Sequence, residues 1–290
     1  HFYLGLAYLQ DNKGGQAEME WNEAINANPG YTPAFLALAQ YKLDSGDADS
    51  AIRYSRDALK TNPDSENARL SLGTAFLAKK YYSDAVAELE TLVKQNPSNS
   101  TGLYRLGLAH AAQGNTAKAE ATWESALRNN PADPQPLAGL VSIYLSLKQP
   151  DKAIERISIQ IQKSPESAVL HELLGQAYTT QKKYREAEQA YRKAIDLDRN
   201  RMNAYGLLGQ LYAIEGSIDK AIKEFETILA SNPNLPQTHT VLGNLYNLQK
   251  NQQKAEFHYR AALKIDPNQA VAANNLAWIL CERNENLDEA

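Results

Sequence analysis

The residues of this chain that could carry chemistry are five histidines, one cysteine and a large set of carboxylates. Metal binding or acid–base catalysis would need several of them to converge on one point. Their spacing argues against convergence, because His1, His171 and His239 occupy the same place in a recurring pattern, with other copies of that pattern between them. We therefore predict a packing or hydrogen-bonding role for these three histidines and no metal site.

The other reactive residues also lack partners at a useful spacing. His110 stands where other segments carry an aromatic residue, which predicts packing, and His258 is predicted to lie on the surface. Cys281 has no activating neighbour and is predicted to be a buried or half-buried thiol. Glu224 and Lys220 have the spacing of a solvated helix face. The sequence also lacks a glycine-rich phosphate loop, so we expect a non-catalytic chain without a cofactor.

A 34-residue period runs through the sequence and must position all of these side chains. Its clearest mark is a proline that recurs once in each period, with Arg199 standing at the one missing position. The prolines of the series are Pro29, Pro63, Pro97, Pro131, Pro165, Pro233 and Pro267. A fixed period of this length indicates stacked copies of one small unit.

Two apolar stripes alternate within each unit at helical spacing. A leucine, a small residue and an aromatic residue recur at positions i, i+1 and i+4, as in residues 174–178. An alanine, a large apolar residue and a second alanine recur at i, i+4 and i+7, as in residues 119–126. Short polar turns separate the two stripes. The sequence therefore predicts pairs of helices, each of about 14 residues, joined by tight turns.

This arrangement of Leu, Gly or Ala, Tyr, Ala, aromatic, Ala and Pro resembles the tetratricopeptide repeat family over the whole chain. The resemblance implies an all-α fold, a right-handed superhelical α-solenoid of antiparallel helix pairs whose first helices line a concave groove. It also implies one continuous array from residue 1 to residue 290. The expected repeats are 1–31, 32–65, 66–99, 100–133, 134–167, 168–201, 202–235, 236–269 and 270–290, the first and last being partial.

Composition limits the partners of such an array. The formal net charge of −4, with 22% charged residues, argues against strong non-specific attraction to nucleic acid. No apolar run of the sequence is long enough to cross a bilayer, so direct membrane insertion is not expected. The single cysteine rules out an intrachain disulfide and leaves both cytoplasm and periplasm open. Because the chain begins and ends inside predicted helices, we expect it to be a fragment that outside segments could tether.

With the phase fixed, the first helices place a ladder of amide, hydroxyl and apolar side chains along the predicted groove. Such groups can hydrogen-bond the backbone of an extended protein or peptide segment. The polar character of any solvent-lined surface accounts for single members of the ladder equally well. The predicted partner-binding residues are Gln40, Thr74, Tyr104, Arg105, Leu108, Ser142, Glu172, Gln176, Gln210 and Asn244.

The unit at 134–167 departs most from the pattern, since Val141 replaces the small residue and additional prolines enter the unit. The departure indicates either local tolerance or a bend that shapes a pocket. We expect a partner to contact this middle stretch through Tyr104, Arg105 and Gln176.

Three functions are consistent with the sequence. The leading one is a protein–protein interaction scaffold that holds a peptide or partner segment in its groove. A loose resemblance of residues 274–278 and 286–290 to the closing repeats of bacterial arrays adds a second. This would be a structural module of an envelope, secretion or exopolysaccharide-export complex. The third is the regulatory arm of an enzyme outside this chain. Self-association through terminal helix stripes, which carry Leu6 and Leu280, is a further alternative.

Overall fold

The computed structural model describes residues 1–283, and the predicted closing segment 286–290 lies outside this part. Seventeen helices follow one another through the described residues, which contain no strand. The third helix has 13 residues and the fourth has 14 residues, close to the predicted helix length. The same alternation continues to the sixteenth helix. The helices are α1 Phe2–Gln10, α2 Gly14–Ala27, α3 Thr32–Asp44, α4 Ala48–Thr61, α5 Glu66–Ala78, α6 Tyr82–Gln95, α7 Ser100–Ala112, α8 Thr116–Asn129, α9 Pro134–Ser146, α10 Pro150–Lys163, α11 Ala168–Thr180, α12 Tyr184–Leu197, α13 Met202–Ile214, α14 Ile218–Ser231, α15 Pro236–Leu248, α16 Gln252–Ile265 and α17 Ala270–Arg283.

The helices gather into two compact units, and each is described by itself. The first unit is His1–Ile143 and the second begins at Tyr144. In the first unit, α3 packs on α4 and α5 on α6, while the first helices α3, α5 and α7 also touch in succession. In the second unit, α11 packs on α12 and α15 on α16, and α11, α13 and α15 form the corresponding row. Both units are α-solenoids of helix pairs, as predicted. The single continuous array stays a prediction.

The polar segment after each proline mark begins the next first helix. The hydroxyl of Ser65 accepts a hydrogen bond from the backbone N–H of Ala68 at 3.2 Å, which caps α5. Asn99 caps α7 in the same way, accepting from the N–H of Gly102 at 2.8 Å. Side-chain caps of this kind satisfy N–H groups that have no partner inside the helix. A local hydrogen bond therefore fixes the start of the first helix at these two boundaries, whereas α3, α11, α13 and α15 begin without a side-chain cap.

Small residues on first helices allow the large residues of second helices to pack against their backbone. In the first unit, a Cβ added to Gly107 would lie 2.2 Å from Nε1 of Trp123. In the second unit, a Cβ on Gly175 would lie 2.4 Å from Cε1 of Tyr191. Contacts this short cannot exist, so each pair of helices is held at a separation that only glycine permits here.

Neighbouring repeats are also joined by side-chain hydrogen bonds, which we call rungs, between residues 30 positions apart. Each rung runs from the residue after a first helix to the first turn of the preceding second helix. They are Lys79 to Asp49 at 2.8 Å, Gln113 to Ser83 at 3.3 Å, Gln181 to Asp151 at 2.6 Å and Gln249 to Asp219 at 2.5 Å. The rungs lie on the exposed surface, at the contact between one repeat and the next.

Three predictions of exposure are wrong. His258 is buried rather than on the surface, because its ring packs against that of His239. Leu280 is buried in the core of the second unit, so it cannot belong to an exposed terminal stripe, whereas Leu6 is exposed. The thiol of Cys281 is exposed rather than buried. Consecutive residues of a helix point about 100° apart, so burying Leu280 turns the next side chain outward.

Candidate partner-binding surfaces

Tyr104 and Arg105 are positioned from behind by the second helix of their repeat. The indole N–H of Trp123 donates to the backbone carbonyl of Tyr104 at 3.0 Å, so α8 fixes the rotation of α7. The guanidinium carbon of Arg105 lies 5.7 Å from the ring centroid of Tyr104, within cation–π range. Within residues 1–283, Arg105 has no carboxylate partner. Its charge is therefore available to another molecule.

In the first unit, the helices α3, α5 and α7 enclose a recess of about 610 Å³. We call it the first-unit recess. Leu36 and Leu70 supply apolar surface, and the predicted residues Gln40, Thr74 and Arg105 all line it. Predicted groove residues from three successive repeats thus come together at one surface.

The charges of the first-unit recess lie at its two ends. Asp44 stands on α3, where its carboxylate accepts a hydrogen bond from Nε2 of Gln40 at 2.7 Å. Arg105 stands on α7, two repeats further along. Between them lies Asn67, whose exposed amide has no hydrogen-bond partner in the described part of the chain. The recess therefore offers an acceptor at one end, a cation at the other and an amide between them.

The second unit contains a smaller recess of about 110 Å³ between α13 and α15, lined by Gln210 and Asn244. The side-chain oxygen of Asn244 accepts two hydrogen bonds, from the hydroxyl of Tyr259 and from Nδ2 of Asn275, both at 2.8 Å. Gly206 leaves this surface open, since a Cβ there would meet nothing within 4 Å. The recess has one fixed amide and one exposed amide.

The ten predicted partner-binding residues differ in how far they reach solvent. The exposed ones are Gln40, Ser142 and Gln210; the half-buried ones are Thr74, Tyr104, Arg105, Leu108, Gln176 and Asn244; the buried one is Glu172. The first-unit recess gathers three of them and the smaller recess gathers two. Tyr104 and Arg105 lie in the first unit and Gln176 in the second. Their joint use by one partner therefore stays a prediction.

Glu172 needs a correction, because its side chain faces the interior. One carboxylate oxygen accepts a hydrogen bond from Nε of Arg201 at 2.7 Å, and the other accepts from Nδ2 of Asn203 at 3.1 Å. Only 4% of the side chain is exposed. The carboxylate therefore joins two repeats, and we leave Glu172 out of the binding surface.

Two further residues of the first-unit recess, Asn67 and Thr101, are absent from the prediction. They occupy equivalent places in successive repeats, five positions before the leucines Leu72 and Leu106. A helical period would have found them, since Thr101 lies one turn before Arg105 and Asn67 lies two turns before Thr74.

The second unit also contains a network of charges that overturns the solvated-face interpretation of Glu224. Its carboxylate pairs with Arg192 of the preceding repeat and accepts a hydrogen bond from the hydroxyl of Tyr212 at 2.9 Å. That hydroxyl also lies 2.9 Å from the carboxylate of Glu188. Burial, followed by these two carboxylates, raises the pKa of Tyr212 well above its usual value. Glu224 is thus a half-buried structural residue, although Lys220 stands four positions before it.

The buried histidines of the second unit form a hydrogen-bonded pair. The Nδ1 atoms of His239 and His258 lie 3.0 Å apart. One of these two nitrogens therefore carries the proton and the other accepts the hydrogen bond. Burial, with a smaller contribution from His239, lowers the pKa of His258 to about 4.

The predicted roles of the other histidines can be compared directly. Nε2 of His171 donates to the carbonyl of Pro165 at 3.2 Å and His239 bonds to His258, so hydrogen bonding is confirmed for both His171 and His239. His110 is buried, as a packing role requires. Across residues 1–283, no group of three or more His, Cys, Asp or Glu side chains is placed to hold a metal ion. None of the described helices combines the length and hydropathy needed to span a membrane.

Helix pairs that stack at a fixed sequence period define a helical-repeat protein. Sequence models of the tetratricopeptide repeat match residues 42–106, 81–134, 110–177, 178–245, 236–269 and 258–290. These matches cover most of the chain, which therefore belongs to the tetratricopeptide repeat family. No curated protein sequence matches it.

Solved structures of other repeat proteins share the fold. Yeast Tom70 matches with a TM-score of 0.66 and 14% identity, over 94% of this chain and 61% of that one. The APC/C hetero-tetramer Cut9–Hcn1 matches with a TM-score of 0.51 and 18% identity, over 91% of this chain and 52% of the matched one. A tetratricopeptide repeat protein from Parabacteroides merdae matches with a TM-score of 0.53 and 17% identity, over 86% of this chain and 98% of the matched one. This chain thus spans about half the length of the Cut9–Hcn1 chain. At these identities the likeness concerns the fold alone.

Proposed function

We propose that this chain is a scaffold that binds an extended segment of a partner protein on the faces of its first helices. The repeat family and the fold support a protein-interaction scaffold in general. The observation that carries the more specific proposal is the first-unit recess, where residues of three consecutive first helices meet. We infer that the partner segment lies across α3, α5 and α7.

The dimensions of the recess suit a short extended peptide. Packed helices lie about 8–10 Å apart, so crossing from α3 to α7 requires about 20 Å. An extended chain advances about 3.4 Å per residue, so about six residues span this distance. Leu36 and Leu70 offer apolar contact, while Asn67 can hydrogen-bond backbone amides along the way. A segment of this length can form hydrogen bonds from its backbone to the recess without entering the core.

The charge at each end of the recess specifies the partner further. Asp44 favours a basic residue at the α3 end of the segment, and the unpaired guanidinium of Arg105 favours an acidic residue at the α7 end. Apolar residues between them would contact Leu36 and Leu70. We therefore propose a segment that is basic at one end, apolar in the middle and acidic at the other.

A display library of random short peptides, selected on the purified chain, tests this proposal. We expect enriched peptides to carry the charge order given above and to lose at least tenfold in affinity to the Arg105→Ala chain, since a charge-assisted hydrogen bond contributes about 1.5–3 kcal/mol. Lys94→Ala is the matched control, because Lys94 is an exposed cation on the second helix α6. Its affinity should not change.

The Arg105→Glu chain provides the opposite test of the same site. It should select peptides that are basic rather than acidic at the α7 end, because the sign of the charge there is reversed. Enriched peptides that bind the parent, the Arg105 variants and the Lys94 variant equally would exclude the first-unit recess as the binding site. A library without enrichment would exclude recognition of short linear segments by this face.

A further inference from the structure

A separate pocket lies in the second unit, near the C-terminal ends of the second helices α12 and α14. Its volume is about 290 Å³, and α13 forms its third side. Ile195, Leu208, Ile228 and Leu235 give it apolar walls. We call it the α12–α14 pocket. It shares no lining residue with the first-helix recesses.

The pocket exists where the repeat pattern is interrupted. In two other repeats, a polar side chain reaches the carbonyl of the marker proline six residues earlier, whereas the equivalent residues Phe35, Leu103 and Leu137 are apolar. Arg69 donates to Pro63 at 3.1 Å, and His171 contacts Pro165 at 3.2 Å. The equivalent residue here is Tyr205, six residues after the only non-proline mark of the series. Within residues 1–283, the hydroxyl of Tyr205 makes no hydrogen bond.

Tyr205 therefore presents a polar group to the pocket from a buried position. The residue is only 1% exposed, and its ring packs beside Phe225 in the core. It also lines the α12–α14 pocket. Its hydroxyl oxygen is not among the fully buried polar atoms that lack a partner, so it reaches the open space of the pocket. A bound molecule could supply the missing partner.

Two more polar groups in the pocket have no partner among the described residues. The guanidinium of Arg199 forms no hydrogen bond or ion pair, and its charge acts on Tyr205. The side chain of Asn232 is free as well, although the equivalent Asn130 accepts from the N–H of Ala132 at 3.3 Å. The phenol, the guanidinium and the amide can all donate to one acceptor group.

The remaining charged residues of the lining do not compete for that role. Arg192 already pairs with Glu188 and Glu224, so its charge is neutralised. Asp196 lies exposed on the last turn of α12 and opposes any bound anion. A carboxylate in the pocket would meet three donors and one repelling charge. Neutralising Asp196 should therefore strengthen the binding of an anion and weaken the binding of a cation.

We propose that the α12–α14 pocket binds a single apolar residue that carries a carboxylate. Its side chain would contact the isoleucines and leucines of the walls, and its carboxylate would accept hydrogen bonds from Arg199, Tyr205 and Asn232. The volume of about 290 Å³ lies at the lower end for small-molecule sites, which suits one such residue rather than a nucleotide or a larger cofactor. The carboxylate could belong to a free acid or to the C-terminal residue of another chain.

Methyl NMR on isoleucine-labelled protein tests the site directly, because Ile195 and Ile228 line it. N-acetyl-leucine should shift both methyl signals in a saturable manner, while Ile52 in the first unit stays unchanged. N-acetyl-leucinamide, which lacks the charge, should bind about tenfold more weakly. A short peptide ending in leucine identifies the source: tighter binding than N-acetyl-leucine indicates a chain terminus, and equal binding indicates a free acid.

Three variants separate this binding mode from non-specific contact. Tyr205→Phe and Arg199→Gln should each weaken binding about tenfold, and Tyr205→Phe breaks no hydrogen bond of the folded chain. Asp196→Asn should strengthen it, because the repelling charge is removed. The proposal is overturned if neither methyl signal shifts saturably, if the amide binds as well as the acid, or if Asp196→Asn weakens binding.

Discussion

The two units share one repeat pattern but treat polar groups in their interiors differently. In the first unit, Trp21 and Trp123 donate their indole N–H groups to backbone carbonyls of the facing helix, at 3.2 and 3.0 Å. The buried polar side chains there are Ser55 and His110. In the second unit, the buried side chains include a carboxylate, Glu172, which bonds to Asn203 of the next repeat, and the pair of His239 and His258 within one repeat. One small–large packing scheme therefore tolerates two ways of satisfying buried polar groups.

The difference has a thermodynamic meaning. An indole bonded to a backbone carbonyl has no charge state that changes near neutral pH, so among the buried polar side chains of the first unit only His110 has a charge that can change. A buried carboxylate or imidazole depends on its partner and on pH, because an unpaired buried charge is strongly unfavourable. We expect the second unit to respond to charge changes that leave the first unit unaffected.

The largest effect is expected on breaking the ion pair between Arg201 and Glu172. Arg201→Ala should lower the free energy of unfolding by about 3 kcal/mol, because the carboxylate of Glu172 is left buried with Asn203 as its remaining partner. Urea denaturation followed by circular dichroism measures the loss. Hydrogen exchange should rise in α11 and α13 and stay unchanged in α5 and α7.

Arg185→Ala provides the control for that experiment, since Arg185 is an exposed cation on α12. It should change the free energy of unfolding by less than about 0.5 kcal/mol. Replacing Glu172 and Arg201 together by leucine should recover most of the loss, because no charge is then buried. An Arg201→Ala chain as stable as the control would contradict the assigned difference between the units.

Acid should destabilise the second unit through the histidine pair. In the unfolded chain His258 takes up a proton near its ordinary value of 6.5, whereas burial lowers its pKa to about 4 in the folded chain. The unfolded state therefore binds more protons between these values, and stability falls as the pH falls from about 6.5 to about 4. The loss approaches about 3 kcal/mol at the lower end. Stability measured against pH, with hydrogen exchange in α15 and α16, checks this.

The His258→Phe chain isolates this contribution from other titrating groups. Burial also lowers the pKa of His110 in the first unit, and Glu226 and Lys254 act on His258 in the second. The phenylalanine should remove most of the pH dependence of α15 and α16 and leave that of α7 unchanged. If α15 and α16 lose protection in acid as steeply as before, the pair is not its cause.

The smallest of these effects concerns the first unit. Trp123→Phe should lower the free energy of unfolding by about 2 kcal/mol, since the carbonyl of Tyr104 loses its indole donor and a small void remains. The loss should be the same at pH 7 and pH 5. A loss that depended on pH would show that the first unit also relies on titrating groups.

The sequence predicts the contacts that recur in every repeat, and it does not predict the contacts that occur in one repeat only. Helix lengths and the contact between Gly107 and Trp123 follow from the 34-residue period, because each repeat presents the same neighbours to the next. The ion pair of Glu172 and Arg201 joins residues 29 positions apart, and the contact of Glu188 and Tyr212 joins residues 24 positions apart. Each of these pairs occurs once, so the 34-residue pattern of the sequence does not predict it.

The candidate surfaces divide in the same way. Gln40, Thr74 and Arg105 could be placed in one recess because they sit on the faces of successive first helices. The α12–α14 pocket could not be predicted as a pocket. The sequence does show Arg199 in place of proline, but only the structure shows that Tyr205 and Asn232 beside it have lost their usual partners. The interruption of the proline series at Arg199 was the one feature of the sequence that pointed to this region.

The rungs between repeats have a consequence for how such a chain can evolve. Each donor sits 30 positions after its acceptor, which lies in the preceding 34-residue repeat. Removal of residues 66–99 would bring Gln113 to the place of Lys79, opposite Asp49, an amide–carboxylate pairing of the kind already made by Gln181 and Asp151. Loss of residues 66–99 therefore leaves no rung without a counterpart, whereas insertion of a single residue there would misalign every contact between the flanking repeats. At this place the length of the protein can change by a whole repeat more readily than by a smaller step.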